Sequence, residues 1–115
     1  MTQTADILGN GTLVYKGGAG TNDNDIAIQS GDVSNFDTFM IFASTGAMDV
    51  DVSLDGANYT TAPLSLQDMT SSSGNPVLVT TAGGAFGFRG KFAAIRLRQN
   101  GATGVTNATL RCGKL

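Results

Sequence analysis

A chain of 115 residues fits one compact domain. With 41% hydrophobic and 14% charged residues it is globular, yet poorer in charge than the roughly 25% of average domains, so Thr, Ser, Asn, Gln and Gly must cover much of its surface. The absence of His, Glu and Trp removes the commonest acid–base side chain and a strong helix former, the single Cys excludes an internal disulfide, and a net charge of -2 speaks against a nucleic-acid binder.

Taken in chain order, Asn10-Gly11 leads into a predicted strand over residues 11–16, and a Gly-rich loop follows over 17–24. A short strand at 25–30 points Ile26 and Ile28 inward. The segment 36–43 alternates Phe39 and Ile41 with Met40 and Phe42, which predicts a central strand buried on both faces. The clearest alternation sets Met48, Val50, Val52 and Leu54 on one face and Asp49, Asp51 and Ser53 on a solvated one. Asp55-Gly56 then predicts a tight hairpin, with 58–61 as the returning strand. Leu64 and Leu66, within 63–69, belong to a helical turn or to a loop plugging the end of the fold. Residues 67–75 read as an exposed, mobile loop.

Pro76 opens a predicted edge strand over 76–81, where its missing amide is tolerated, and 85–88 is another short strand. Over 92–99, Ile95 and Leu97 oppose Arg96 and Arg98. Asn100-Gly101 turns the chain into a last alternating face of Thr106, Ala108, Leu110 and Cys112, a second hairpin in which Cys112 is a buried small hydrophobe. No internal repeat is present. The pattern predicts an all-β fold, a single-domain antiparallel β-sandwich or jelly-roll-like barrel over residues 1–115, with long Gly/Ser-rich loops. No basic stretch followed by an apolar one opens the chain, and the longest apolar run, 39–43, is too short to span a bilayer. A soluble protein without membrane contact is expected.

Charge is unevenly distributed. All nine acidic residues, each an Asp, lie between Asp6 and Asp68 with Lys16 as the only cation, whereas the remaining cations run from Arg89 to Lys114. Two arrangements satisfy this pattern: charges paired across a sheet, or a dipolar body whose basic side docks on an acidic partner or on the next copy. On the second reading Arg89, Lys91, Arg96 and Arg98 are the candidate partner contacts. No aromatic base-stacking pattern accompanies them, so nucleic acid is not an expected partner.

Catalytic chemistry finds little footing. Without His, a nucleophilic Ser, Thr or Cys would need Lys or a carboxylate as its base, and Lys16, Lys91 and Lys114 lack a Ser-x-x-Lys context. Asp49 and Asp51 are two apart on a strand, about 7 Å from each other and facing water, which suits a solvated face better than a hydrolase pair. Together with Asn22, Asp23, Asn24 and Asp25 they offer oxygen ligands to calcium, but without the spacing of a calcium loop. One Cys and no His cannot complete a zinc site. Gly17-Gly18-Ala19-Gly20 and Gly83-Gly84-Ala85 lack the Lys-Ser/Thr ending of a phosphate loop and read as turns. Neither enzyme activity, nor a metal, nor a cofactor is expected.

The runs Asp25-Ile-Ala-Ile-Gln-Ser-Gly-Asp-Val-Ser-Asn-Phe-Asp-Thr-Phe-Met-Ile41, Gly46-Ala-Met-Asp-Val-Asp-Val-Ser-Leu-Asp-Gly-Ala-Asn-Tyr59 and Gly87-Phe-Arg-Gly90 resemble small virion proteins of marine tailed phages. The likeness covers most of the chain as general texture. Within that group a short β domain is most similar to head decoration, or capsid cement, proteins. The resemblance implies a structural protein on the outer surface of the capsid, made in the host cytoplasm and bound to the major capsid protein. Self-association as a homotrimer or other homo-oligomer is implied as well. A tail or neck component is an alternative, as is a virion-displayed glycan-binding module, since Ser-Leu-Asp-Gly-x-Asn-Tyr is similar to a hairpin found in many β-sandwich modules, carbohydrate binders among them.

Overall fold

The computed structural model describes residues 2–20, 22–71, 74–101 and 107–115. These contain nine strands and no helix: β1 (Thr2–Ile7), β2 (Leu13–Gly18), β3 (Ile26–Gln29), β4 (Thr38–Ala43), β5 (Ala47–Ser53), β6 (Gln67–Asp68), β7 (Ala85–Arg89), β8 (Ala94–Asn100) and β9 (Ala108–Gly113). All pairings are antiparallel. A six-stranded sheet runs β1-β2-β9-β4-β7-β6 and a three-stranded sheet runs β3-β8-β5. The chain is therefore an all-β antiparallel sandwich, as its alternation predicts.

One core lies between the sheets. Phe39 and Ile41 of β4, Phe86 of β7 and Leu110 of β9 face Ile28, Met48, Val50, Ile95 and Leu97 of the smaller sheet, and each is essentially inaccessible. Burying a side chain of this kind contributes about 1.5–3 kcal/mol. At one end Phe39 stacks on Phe88 with centroids 5.0 Å apart, and Phe92 tilts against both at 5.9 and 6.0 Å. Cys112 is fully buried, as expected, and burial pushes its thiol up to about 12.

Several expectations are corrected. The β8–β9 segments do not form a hairpin: Gly101 turns the chain at φ 93°, but β8 pairs with β3 and β5 whereas β9 pairs with β2 and β4. Both strands carry an apolar face, and the two faces meet the core from opposite sheets. Thr106, Thr21, Ser72 and Ser73, which the predicted last strand and two loops include, lie outside the described residues. The Asp55-Gly56 turn forms with Gly56 at φ 85°, yet the returning strand shrinks to the bridge Ser53↔Tyr59. There the Asp55 carboxylate accepts hydrogen bonds from the Ala57 and Asn58 amides, which favours a turn over a ladder. The predicted 76–81 strand likewise reduces to the bridge Leu66↔Val77.

These two irregular stretches still have a structural role, because they cover the free edge of β5. Thr60 and Leu64 donate backbone amides to Val52 and Val50 (2.9 and 2.7 Å), and Thr80 donates to Met48 (3.0 Å) while its hydroxyl accepts the Met48 amide. An otherwise open edge is thereby closed. Neither reading for 63–69 holds throughout: Leu66 is buried against the core and bridges Val77, but Gln67 and Asp68 form β6 beside β7, so the exposed loop expected from 67 starts only after that strand.

Burial departs from expectation at four further places. β4 is central, but only its inward face is buried; Phe42 is 45% exposed and Met40 is partly so. Leu54 lies past the end of β5 and is exposed rather than inward. A bulge between Ile26 and Ile28 buries Ala27 and leaves Ile26 half-covered. Asp49, Asp51 and Ser53, expected on a solvated face, are buried.

Candidate functional site

The polar face of β5 is covered by its neighbour. Cross-strand register places Asp51 opposite Arg96 and Asp49 opposite Arg98, so both acids meet a cation directly. The Asp51 carboxylate has no exposed surface. It accepts hydrogen bonds from Arg96 Nε and Nη2 (3.1 and 2.9 Å) and from Arg98 Nε and Nη2. Burial alone pushes this carboxyl up, but the Arg98 and Arg96 hydrogen bonds and charges together outweigh it and hold the group below the ordinary carboxylate range. Arg98 is raised in turn, first by its bond to Asp51. Asp49 lies 3.6 Å from Arg98 and accepts from Asn100 Nδ2 at 3.1 Å. Of the two arrangements open to the charge pattern, pairing across the sheet is the one formed here.

Above this cluster is an open dish of about 500 Å³, bordered by Asn24, the 57–61 segment, Arg96 and Arg98. Tyr59 lies under the Arg96 guanidinium, 4.4 Å from its carbon to the ring centroid. Arg98 donates to Asn24 Oδ1, and Asn58 donates its side-chain amide to Asp55 at 2.7 Å. The bonds from Asn58 and Ala57 hold the Asp55 carboxyl well below its usual range.

A second surface lies on the opposite side of the sandwich. Because Tyr15, Leu110, Phe39 and Phe88 point inward, the alternate residues Lys16, Arg111, Met40, Phe42 and Arg89 occupy the outer face of the six-stranded sheet. Neither Lys16, Arg89 nor Arg111 forms an ion pair with a described residue. At the β6–β7 end this face continues into a groove of about 530 Å³ whose walls include Met40, Leu64, Met69 and Arg89. Gly87 forms part of its floor; a Cβ there would stand 2.8 Å from Met40 Sδ. Met69 is 58% exposed.

The four cations singled out in the sequence thus separate. Arg96 and Arg98 are bound to Asp51 on one face of the sandwich, Arg89 stands on the other, and Lys91 is exposed in the link that follows β7. Sequence reasoning missed Lys16 and Arg111 as companions of Arg89. The signal for them is their position one residue away from the inward Tyr15 and from Leu110 and Cys112, but it becomes readable only once β2, β9 and β4 are known to be neighbours.

The proposed calcium ligands are otherwise engaged. Asp51 holds two arginines, Asp23 accepts the Gly101 amide (2.8 Å) and Asp25 accepts the Asn22 amide (3.1 Å). Among the described residues no group of three or more His, Cys or Asp side chains is placed to hold a metal ion. No protein-family model matches the chain, and no curated protein matches it at a significant level.

Proposed function

We propose that this chain is a non-enzymatic structural protein of a phage virion, a capsid decoration protein. The outer face of its six-stranded sheet would dock on the outer surface of the major capsid protein shell. The observation that carries this reading is that face itself: Phe42 and Met69 stand exposed among Lys16, Arg89 and Arg111, cations without an ion-pair partner among the described residues. Such a patch fits a partner with an acidic rim around an apolar centre. The resemblance of the sequence to small phage virion proteins supplies the class of partner.

A standard contact covers about 800 Å² per partner. That is roughly a seventh of the 5858 Å² surface and within reach of one sheet face. Many copies bridging neighbouring shell subunits would stabilise the shell by linkage alone, with no chemistry.

The test is heating of particles made without this protein. Heads that keep their genome yet burst at lower temperature, and are rescued by the purified chain, support the reading. Unchanged heads on particles that lack tails would transfer the chain to the tail or neck.

A further inference from the structure

We propose that the dish on the three-stranded sheet is a binding site for a neutral saccharide. This inference stands apart from the docking face, which lies on the opposite side of the sandwich, so a chain attached through that face would present the dish outward.

Three features define the ligand. First, the floor is pre-organised: Arg96 and Arg98 are fixed by the fully buried Asp51, and Arg96 is packed against the Tyr59 ring. Long side chains held in this way lose little freedom when a ligand arrives. Second, the hydrogen-bonding groups left over are mixed. Arg96 Nη1 and Asn24 Nδ2 are donors, and Asn58 Oδ1 an acceptor, with no partner among the described residues; Thr61 adds a hydroxyl, whereas the Thr60 hydroxyl already accepts the Val52 amide at 3.3 Å. A hydroxyl-rich ligand that donates and accepts at adjacent positions matches this set. Third, the charge is balanced, because Asp49 and Asp51 offset Arg96 and Arg98. The volume of about 500 Å³ falls within the range of about 300–1,000 Å³ common to small-molecule sites.

The experiment titrates the full chain with methyl β-galactoside, N-acetylglucosamine and methyl α-rhamnoside, with N-acetylneuraminate as an anionic comparator, following backbone amide shifts by NMR. At least one neutral sugar is expected to give saturable shifts confined to the 57–61 segment, Asn24, Arg96 and Arg98, with a millimolar dissociation constant. Tyr59→Ala risks disturbing the fold, so the deciding variant is Thr61→Arg. Thr61 is exposed and a bulky cation there would fill the dish. This variant should weaken binding by about tenfold or more. The proposal is overturned by shifts that never saturate for any of the three sugars, by shifts that Thr61→Arg leaves unchanged, or by binding of the anionic sugar alone.

Discussion

At the residue scale, Asp51 ties β5 to the adjacent β8 through two guanidinium groups of that strand while exposing none of its own surface. Because its folded pKa lies below the unfolded value, the stability it contributes is fully present above the unfolded value of about 3.9 and is lost as pH falls through the lower folded one. Asp32 and Asp55, both exposed, and the half-buried Asp37 are shifted in the same direction by backbone and side-chain hydrogen bonds, and solvent screens their share. Asp51→Asn should therefore cost about 3 kcal/mol at neutral pH, because both arginines lose their anion. It should also flatten the acid limb of a denaturation series run from pH 7 to below 4. Gly90 makes a different demand. Its φ is 149°, and a Cβ there would meet the Phe92 ring at 2.6 Å. That ring is held against Phe39 and Phe88 and has little room to yield. Gly90→Ala is expected to cost about 2 kcal/mol in urea denaturation.

At the scale of elements, alternation made the strands at 13–18, 47–53 and 94–100 legible, because each has an inward apolar set at every second position. Pairing was not legible. The Asn100-Gly101 turn carries the same local signature whether the chain folds back within a sheet or crosses to the other one, and only the identity of the neighbouring strands decides. β1 escaped notice for another reason: Thr2-Gln3-Thr4-Ala5-Asp6-Ile7 has a single large apolar residue, and that residue is 78% exposed. The strand is instead held by its ladder to β2 and by Gln3, whose side-chain amide donates to Gln29 O at 2.9 Å and accepts the Gln29 amide at 2.8 Å. One side chain thus takes the place of a strand on the free edge of β3. Gln3→Ala should destabilise by about 1 kcal/mol. Amide hydrogen exchange should accelerate in β1 and at Gln29 while β4 is unaffected.

Over the whole molecule, the charge segregation seen along the sequence resolves into two different surfaces. The acidic half supplies β5, whose carboxylates meet Arg96 and Arg98 of the later half, and Lys16, Arg89 and Arg111 share the outer face on the far side of the sandwich. The uneven charge along the sequence allowed a basic docking side, but the surface that would carry it depends on three strands, β2, β9 and β4, whose adjacency no local pattern announces. If that surface docks on an acidic shell, attachment should weaken as salt shortens the reach of its charges. Lys16→Glu combined with Arg111→Glu should lower affinity for stripped particles by about tenfold or more in a co-sedimentation assay, leaving the melting temperature close to that of the parent chain. Retained attachment with both reversals in place would direct attention away from this face.

The burial of Cys112 has a practical corollary. A thiol that is both un-ionised at neutral pH and shut away from solvent is inert toward maleimides and other electrophiles. Because the chain has no second sulfhydryl, a cysteine introduced on either outer face would be the sole point of conjugation. If the chain decorates a shell as proposed, a gold cluster or a dye attached there would report the orientation of each copy.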